Sequence, residues 1–400
     1  SFKYKGIFME KKLTHITMVA TLPPIKGVSD YTLNHVPEIS KFVKVDFYNF
    51  SDIYPEFWYP GGTKENDPIF KMKPAPNATI YHTLTWYNPL TWISAGLHAK
   101  GEILHFHWWT FYLAYVFWTI VIIAKLRGKK IVCTVHNVKG NAWGSLEKML
   151  GPIENLLTRI VFSLVDGFIV HSTQSREQLH EKFSIPYKKI HINPHGNYDF
   201  YNDTPISQAD ARKKLDVPKN ARVLLSFGNL RKYKGFEDLI VAFKEAKKRI
   251  PELYLIIAGK PWNKEMAEDI RNQLKDIANV KLEFDYIASS DIKYYFNSAD
   301  IVMLPYHEFT GQSGPGNVAL AFGKPLIVSR VGGLPELVVD ENTIFEPHDV
   351  KGLTQRIENV FTKKGMLAKL SKDALIMKKK YSWDAITQQT LQVYKIVLRE

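Results

Sequence analysis

One pattern repeats along most of this chain: a short apolar run rich in valine and isoleucine is followed by a stretch of helix length. The runs are HITMVATLP, EILHFHWW, KIVCTVHN, GFIVHS and KIHINPHG in the first half, and RVLLSFGNL, LYLIIAGK, VKLEFDYI, DIVMLPY and PLIVSRVGG in the second. Strands that alternate with helices predict parallel sheets covered by helices on both faces. The expected fold class is therefore α/β.

The series of strands is interrupted by a polar, turn-forming segment near residues 197–220, which contains one short predicted helix at Asp210–Leu215. A chain of 400 residues, 45% of them apolar, exceeds the size at which one core usually stops growing. We therefore predict two doubly wound, Rossmann-like domains that face each other across a cleft. The predicted parts are a first domain at 1–198, a linker at 199–219, a second domain at 220–375, and a C-terminal helix at 376–400 that crosses back to the first domain.

The net charge of +13 favours anionic partners, which include nucleic acid, phosphorylated small molecules and acidic lipid headgroups. The single cysteine, Cys133, lies in an apolar run, excludes an intramolecular disulfide and suits a reducing compartment. The N-terminal SFKYKGIFMEKKL is charged and lacks the apolar core of a signal peptide. We therefore expect a cytoplasmic protein.

The aromatic segment HFHWWTFYLAYVFWTIVIIAKLRGKK is uncharged from Trp108 to Ala124, about the minimum length that spans a bilayer. A strand-like run follows at once, so the segment is interpreted as a buried or interfacial helix. Its tryptophans and basic end leave open a peripheral contact with an anionic membrane, at the inner face.

A glycine-rich loop, TGQSGPG, joins the predicted strand DIVMLPY to the predicted helix NVALAFG. In open α/β sheets, ligands bind beyond the carboxyl ends of the strands, where helix N-termini offer free N–H groups. Glycines allow backbone amides to approach a phosphate, Ser313 adds a hydroxyl, and Pro315 fits the first helical turn without wasting a donor. The loop predicts a phosphate site, although a simple turn would also explain its composition.

A second loop of the same kind occurs in SFGNLRKYKGFEDLI, where Arg231, Lys232, Lys234 and Gly235 lie between a strand and an amphipathic helix. Arginine and lysine at such a loop can neutralise a diphosphate. A solvated basic turn is the alternative interpretation.

Taken together, FGNLRKYKGFEDLI and ADIVMLPYHEFTGQSGPGNVALAFGKPLIVSRVGGLPELV resemble the C-terminal domain of the family 4 glycosyltransferases of the GT-B fold, the retaining enzymes that use sugar nucleotides. The resemblance extends to the first half: TLPPIKGVSDYTLN is similar to the family's glycine loop, which includes Gly27, VCTVHN to an internal strand, and INPHGNYDF to the hinge. It covers nearly the whole chain.

The resemblance implies that Lys234 contacts the donor diphosphate with Arg231 as a second cation, near Gly228. The family more often places its arginine where this chain has Asn229. His136 in TVHN matches the histidine that approaches the transferred sugar, where imidazole can hydrogen-bond hydroxyl groups.

The family also has two glutamates eight positions apart, one facing the sugar and one holding the ribose. Counting back from GKP places them at Thr310 and Val318, neither of which is acidic, whereas counting forward from EFTG places the first at Glu308. We favour Glu308 as the sugar-facing carboxylate and leave Asn317 as a candidate for the ribose.

The remaining donor contacts are also implied by the resemblance. Gly311, Ser313 and Gly314 are assigned to the phosphates, Tyr286 and Ile287 to the base, and Glu336 to a position that the family keeps acidic. A glutamate at a helix N-terminus explains Glu336 equally well.

The two histidines of HFHWW have no carboxylate or cysteine companions nearby in sequence, so no metal site is predicted there. The resemblance likewise implies a metal-independent enzyme without cofactor, whose co-substrate is a nucleotide-diphosphate sugar.

The function predicted from the sequence is transfer of a hexose from a UDP- or GDP-linked sugar to a hydroxyl of a saccharide or lipid-linked acceptor, with retention. The alternatives are a non-catalytic partner subunit, suggested by the missing glutamates, and a sugar-nucleotide epimerase on the same fold. A nucleic-acid binder is disfavoured, because the chain has no basic stripe or recognition motif.

Overall fold

The computed structural model describes residues 13–53, 67, 69–138, 145–309 and 313–399. Within them the chain forms two compact units. The first unit takes the described residues up to His171, Arg176–Asn193 and those from Thr387 onward; the second takes Ser172–Ser175 and Pro194–Ile386.

The first unit is built on a parallel sheet in the order β3-β2-β1-β4-β5-β6-β7. Its strands are β1 His15–Ala20, β2 Lys44–Asp52, β3 Ala78–Thr85, β4 Ile103–Trp108, β5 Lys130–Val135, β6 Gly167–Val170 and β7 Ile190–Ile192. The helices between them are α1 Ser29–Ile39, α2 Pro89–His98, α3 Ala114–Leu126, α4 Ser145–Phe162 and α5 Thr173–Phe183. The four central strands are almost wholly buried, as expected of a parallel sheet covered on both faces.

The second unit has a parallel sheet in the order β10-β9-β8-β11-β12-β13. The strands are β8 Arg222–Phe227, β9 Leu253–Ala258, β10 Val280–Glu283, β11 Ile301–Leu304, β12 Leu326–Ser329 and β13 Ile344–Phe345. The helices are α6 Gln208–Lys214, α7 Phe236–Lys247, α8 Lys264–Leu274, α9 Ile292–Ser298, α10 Gly314–Ala321, α11 Val350–Thr362 and α12 Met366–Lys380. The last helix, α13 Trp383–Arg399, begins in this unit and continues into the first. Separate apolar clusters cover the two faces of this sheet. The predicted α/β class is confirmed.

Residues 199–219, which we predicted as an interdomain linker, instead belong to the second unit, which begins at Pro194. The helix predicted within this segment is present as α6. Its Arg212 is 7% exposed and forms an ion pair with Asp300, the residue before β11, at 2.9 Å. A buried ion pair of this kind fixes the segment to the sheet.

The chain enters the first unit again at Thr387, inside α13, later than the predicted start of the returning helix at 376. On this helix Tyr394 is fully buried, and its hydroxyl lies 2.6 Å from Nδ1 of His105 on β4. The last helix therefore contributes to the core of the first unit.

The aromatic segment forms β4 and then, after a short 3-10 turn, the 13-residue helix α3. Among the described residues, no helix combines the length and apolar character needed to cross a bilayer.

Candidate active site

The second unit contains a cavity of about 350 Å³ at the carboxyl ends of β8 and β11. These two strands are neighbours at the point where the strand order reverses, which is where open α/β sheets bind ligands. The cavity is lined by Tyr201, Phe227, Gly228, Asn229, Arg231, Tyr233, Lys234, Ile292, Gly314, Pro315 and Val318. The two loops identified in the sequence thus lie at one cavity.

Lys234 ends the short 3-10 turn that follows β8, and its side chain is only 6% exposed. Its Nζ lies 5.6 Å from the centre of the Tyr306 ring, and no carboxylate of the described residues lies within 4.0 Å of it. Burial, with a smaller contribution from the charge of Arg231, lowers the pKa of Lys234 to about 8. A buried cation without a counter-ion is costly to the fold, so this position favours a bound anion.

Arg231 supplies a second cation at the same cavity. Its Nη1 donates to the carbonyl of Leu230 at 3.0 Å, and its guanidinium lies over the Trp262 ring at 4.5 Å. This stacking orients the guanidinium while leaving its other N–H groups for a ligand.

Two glycines of this region have positive φ, a backbone conformation that other residues rarely adopt. Gly228 has φ +96°, and a Cβ built on it would lie 3.0 Å from Pro315 Cγ and 3.4 Å from Lys234 Nζ. Gly235 has φ +65°, and a Cβ there would lie 2.0 Å from the Pro305 carbonyl oxygen. Both glycines therefore allow the two loops to approach each other.

Helix α10 begins at the cavity, and its first two residues, Gly314 and Pro315, line the cavity wall. Ser313 is the N-cap: its Oγ accepts from the Gly316 N–H at 3.2 Å and lies 3.2 Å from the hydroxyl of Tyr306. The side chain is 2% exposed, so the structure gives the hydroxyl a capping role, while the helix N-terminus presents its partial positive charge to the cavity. The predicted phosphate contact at Gly311 lies outside the described residues.

Val318, the position of the second glutamate if the register is counted back from GKP, lines the cavity and is 4% exposed. Its neighbour Asn317 is 1% exposed, and its Oδ1 has no hydrogen-bond partner among the described residues. Glu308 is exposed in the loop after β11, and Thr310 lies outside the described residues. Glu308 and Asn317 therefore remain predictions.

The other predicted donor contacts lie at separate places. Tyr286 is 78% exposed, and Ile287 packs against the apolar cluster of the sheet. Glu336 accepts from the Thr173 N–H at 3.0 Å, and Thr173 clusters with the second unit. Gly27, in the first unit, has φ +117°, and a Cβ built on it would lie 3.0 Å from Thr21 Oγ1 and 3.2 Å from Trp109 Cε2. None of these four residues lines the cavity.

His136, in the first unit, follows β5 and lies in a chain of histidines. Nδ1 of His171 donates to the Asn193 carbonyl at 2.9 Å, because a carbonyl can only accept. With neutral rings, His136 then donates from Nδ1 to His171 Nε2 at 3.1 Å and accepts at Nε2 from His107 Nδ1 at 2.9 Å. Both ring nitrogens of His136 are thus engaged, and a sugar hydroxyl would have to displace one of these bonds.

Sequence reasoning missed the cavity residues Tyr201 and Tyr233. It also missed Trp262 and Tyr306, whose rings lie against Arg231 and Lys234. Trp262 follows β9, the strand that pairs with β8. Its contact with Arg231 could have been anticipated, because the loops after neighbouring parallel strands meet at one edge. No sequence pattern of this kind would have predicted the positions of the tyrosines.

Two family descriptions match the sequence. "Glycosyltransferase Family 4" matches residues 53–196 and "Glycosyl transferases group 1" matches residues 207–376. An uncharacterized glycosyltransferase of Methanocaldococcus jannaschii is 29% identical over 58% of this chain and 60% of its own length. A D-inositol 3-phosphate glycosyltransferase of Saccharomonospora viridis is 27% identical over 74% of this chain and 70% of its own length. The chain thus spans about three fifths of the first of these relatives.

Solved structures show the same fold. Sucrose-phosphate synthase from Thermosynechococcus elongatus aligns with TM-score 0.65 at 18% identity, covering 96% of this chain and 99% of its own. Anabaena HepE in complex with UDP and glucose aligns with TM-score 0.63 at 15% identity, covering 96% and 100%. These structures show that the fold is GT-B. The two family matches, over residues 53–196 and 207–376, show that the chain belongs to the family 4 glycosyltransferases.

Proposed function

We propose that this protein transfers a hexose from a nucleotide-diphosphate sugar to a hydroxyl of a saccharide or lipid-linked acceptor, with retention of anomeric configuration. The observation that carries the proposal is Lys234, a buried cation at the cavity with no carboxylate of the described residues within 4.0 Å. A diphosphate placed there would supply the missing negative charge. The UDP named for Anabaena HepE favours a UDP-linked donor over a GDP-linked one.

In this proposal, catalysis rests on charge stabilisation at the leaving diphosphate. Lys234, Arg231 and the N-terminus of α10 lie around one cavity, and groups fixed in advance near developing charge supply the largest catalytic effect at most sites. We propose that these groups act without a metal cofactor at the diphosphate.

Retention is proposed from the resemblance to the retaining family 4 enzymes. Among the described residues that line the cavity none is a carboxylate, so the double-displacement route to retention would have no nucleophile there. We therefore propose attack by the acceptor hydroxyl on the face that the diphosphate leaves. Glu308 would assist from the loop after β11, and His136 would require rearrangement of its hydrogen bonds.

A lipid-linked acceptor is favoured by the surface of the first unit. Helices α2, α3 and α4 pack side by side and expose large apolar side chains, including Leu90 at 71%, Leu126 at 83% and Leu156 at 60%. Arg127 and Lys129 follow α3 directly. An apolar face next to basic residues suits peripheral contact with an anionic bilayer.

The test is release of nucleoside diphosphate from a panel of UDP-, GDP- and ADP-sugars, with and without acceptors, for wild type, Lys234→Ala, Glu308→Ala and Lys232→Ala. Lys232 is the matched control because it lies in the same turn but is exposed. We expect one donor to be consumed, Lys234→Ala to lose at least about 100-fold in rate, and Lys232→Ala to remain near wild type. Proton NMR of the product reports the anomeric configuration.

Nucleotide binding without turnover of any donor would contradict the enzyme and favour the non-catalytic partner. Conversion of the donor sugar without transfer would favour the epimerase. Full activity of Glu308→Ala would show that the register counted back from GKP is correct.

A further inference from the structure

Beside the cavity, on the second unit, two histidines and an aspartate converge. Nε2 of His307, in the loop after β11, lies 2.7 Å from Oδ2 of Asp238, in the first turn of α7. Nδ1 of His348, in the loop after β13, lies 4.0 Å from the same oxygen. The three ligand atoms all lie within 4.8 Å of one another, although they come from three separate parts of the sequence.

The packing around the cluster holds these side chains in place. The His307 and His348 rings lie 3.8 Å apart between centroids. His348 has φ +64°, a left-handed conformation uncommon outside glycine, and a Cβ on Gly235 would come within 3.0 Å of His307 Nε2. A single carboxylate oxygen thus faces two imidazoles, an arrangement that one shared cation would satisfy.

We propose that Asp238, His307 and His348 form a binding site for a transition-metal ion of the Zn²⁺ class. Two imidazole nitrogens and one carboxylate oxygen are ligands that Zn²⁺ takes, whereas Mg²⁺ and Ca²⁺ prefer oxygen ligands alone. Tetrahedral ligation at about 2.0 to 2.1 Å separates ligand atoms by about 3.3 Å, which lies between the two separations from Asp238 Oδ2. The fourth position is open to water, since the His348 side chain is 68% exposed.

A metal ion at this site would fix the position of the loop after β11 and would take no part in the transfer reaction itself. His307 directly precedes Glu308, and its backbone N–H donates to the carbonyl of Tyr233, a cavity residue, at 2.7 Å. None of the three ligands lines the cavity. A bound ion would therefore join the loop after β11 to α7 and to the loop after β13, and would order the segment that carries Glu308.

The experiment titrates ZnCl₂ into the full, untagged chain after treatment with a chelator, by calorimetry and by competition with a chromogenic zinc indicator. The variant is His348→Asn, because asparagine tolerates positive φ and removes only the imidazole. His98→Asn is the matched control, since His98 is an exposed histidine of α2 in the first unit. Replacing Zn²⁺ by Co²⁺ gives visible absorption bands that report tetrahedral ligation.

We expect one equivalent of Zn²⁺ to bind wild type and His98→Asn with the same affinity. His348→Asn and Asp238→Asn should each bind at least about 100-fold more weakly, since even outer partners of metal ligands contribute 10- to 100-fold. Absence of a stoichiometric site, or equal affinity in His348→Asn, would overturn the proposal. Thermal unfolding without metal verifies that each variant is folded. No donor or acceptor is present, so failure here would leave the proposed transfer reaction untouched.

Discussion

At the scale of single residues, the site depends on a lysine that the fold itself disfavours. Lys234 is 6% exposed and faces a second cation, Arg231, without a carboxylate of the described residues within 4.0 Å. Residues held at a cost to stability are typical of functional positions. Sequence reasoning found both cations because basic residues in a strand-to-helix loop are a strong pattern, but it could not show that one of them is buried.

Replacing Lys234 by methionine should separate stability from binding. At pH 7 we expect Lys234→Met to raise the free energy of unfolding by about 1 to 3 kcal/mol, because it removes an uncompensated buried charge. The same variant should no longer be stabilised by UDP. Thermal unfolding with and without UDP measures both effects, and Lys232→Met should change neither. A loss of stability in Lys234→Met would show that the ammonium is already paired in the free protein.

The pH dependence of nucleotide binding follows from the same residue. Because the pKa of Lys234 is lowered to about 8, its ammonium is present below that pH and is lost as the pH rises through it. We therefore expect UDP affinity to fall about tenfold or more between pH 7 and pH 9.5, measured by calorimetry. Lys234→Met should bind weakly with no such step.

The pH dependence of stability has the opposite sign to the pH dependence of UDP affinity. Between about pH 8 and the ordinary lysine pKa of 10.5, the unfolded chain binds more protons at this residue than the folded one. The contribution of Lys234 to the free energy of unfolding therefore increases with pH across that window.

At the scale of elements, the sequence revealed most strands of the two sheets as short runs rich in apolar residues. It missed β2, whose sequence KVDFYNFSD mixes aromatic and polar residues, and the half-exposed edge strand β3. Asn49 on β2 is 1% exposed, and its Oδ1 accepts from the Leu22 N–H at 2.8 Å, which fixes the loop after β1. Because Asn49 is polar although buried, it interrupts the apolar pattern of β2. Sequence reasoning therefore missed this strand, which only the structure shows.

The glycine before α7 provides a test of how closely the two cavity loops approach. Gly235 and Gly365 both precede helices with positive φ, +65° and +77°, but a Cβ on Gly365 would meet nothing within 4 Å. Gly365→Ala should therefore lower the free energy of unfolding by only about 1 kcal/mol, the cost of placing alanine at positive φ. Gly235→Ala should lose about 3 kcal/mol or more, because its Cβ would clash with the Pro305 carbonyl. Urea unfolding measures both, and equal losses would refute the close approach.

At the scale of the whole molecule, the last helix belongs to both units, since α13 begins in the second and continues into the first. Val397 on this helix is 1% exposed, and a Cβ on Gly167 of β6 would lie 2.5 Å from its Cγ2. The sequence indicated that a final helix would pack, from its apolar spacing, but not which strand would receive it, since such contacts join residues far apart in the chain.

A double-mutant cycle tests this docking. Gly167→Ala alone should destabilise by about 1 to 3 kcal/mol through overpacking. In the background of Val397→Ala, which removes the clashing methyl, the same change should cost at least about 1 kcal/mol less. Chemical denaturation of the four proteins gives the coupling energy. Strict additivity would show that the helix is not seated against β6.

The return of α13 has a consequence for biosynthesis. The segment from Thr387 that completes the first unit follows every residue of the second unit from Pro194 to Ile386. The first unit therefore cannot be completed before every residue of the second has been synthesised, which reverses the usual order in which domains mature. A chain truncated after Ile386 would carry the whole second unit, while the first unit, although made earlier, would lack the segment that completes it.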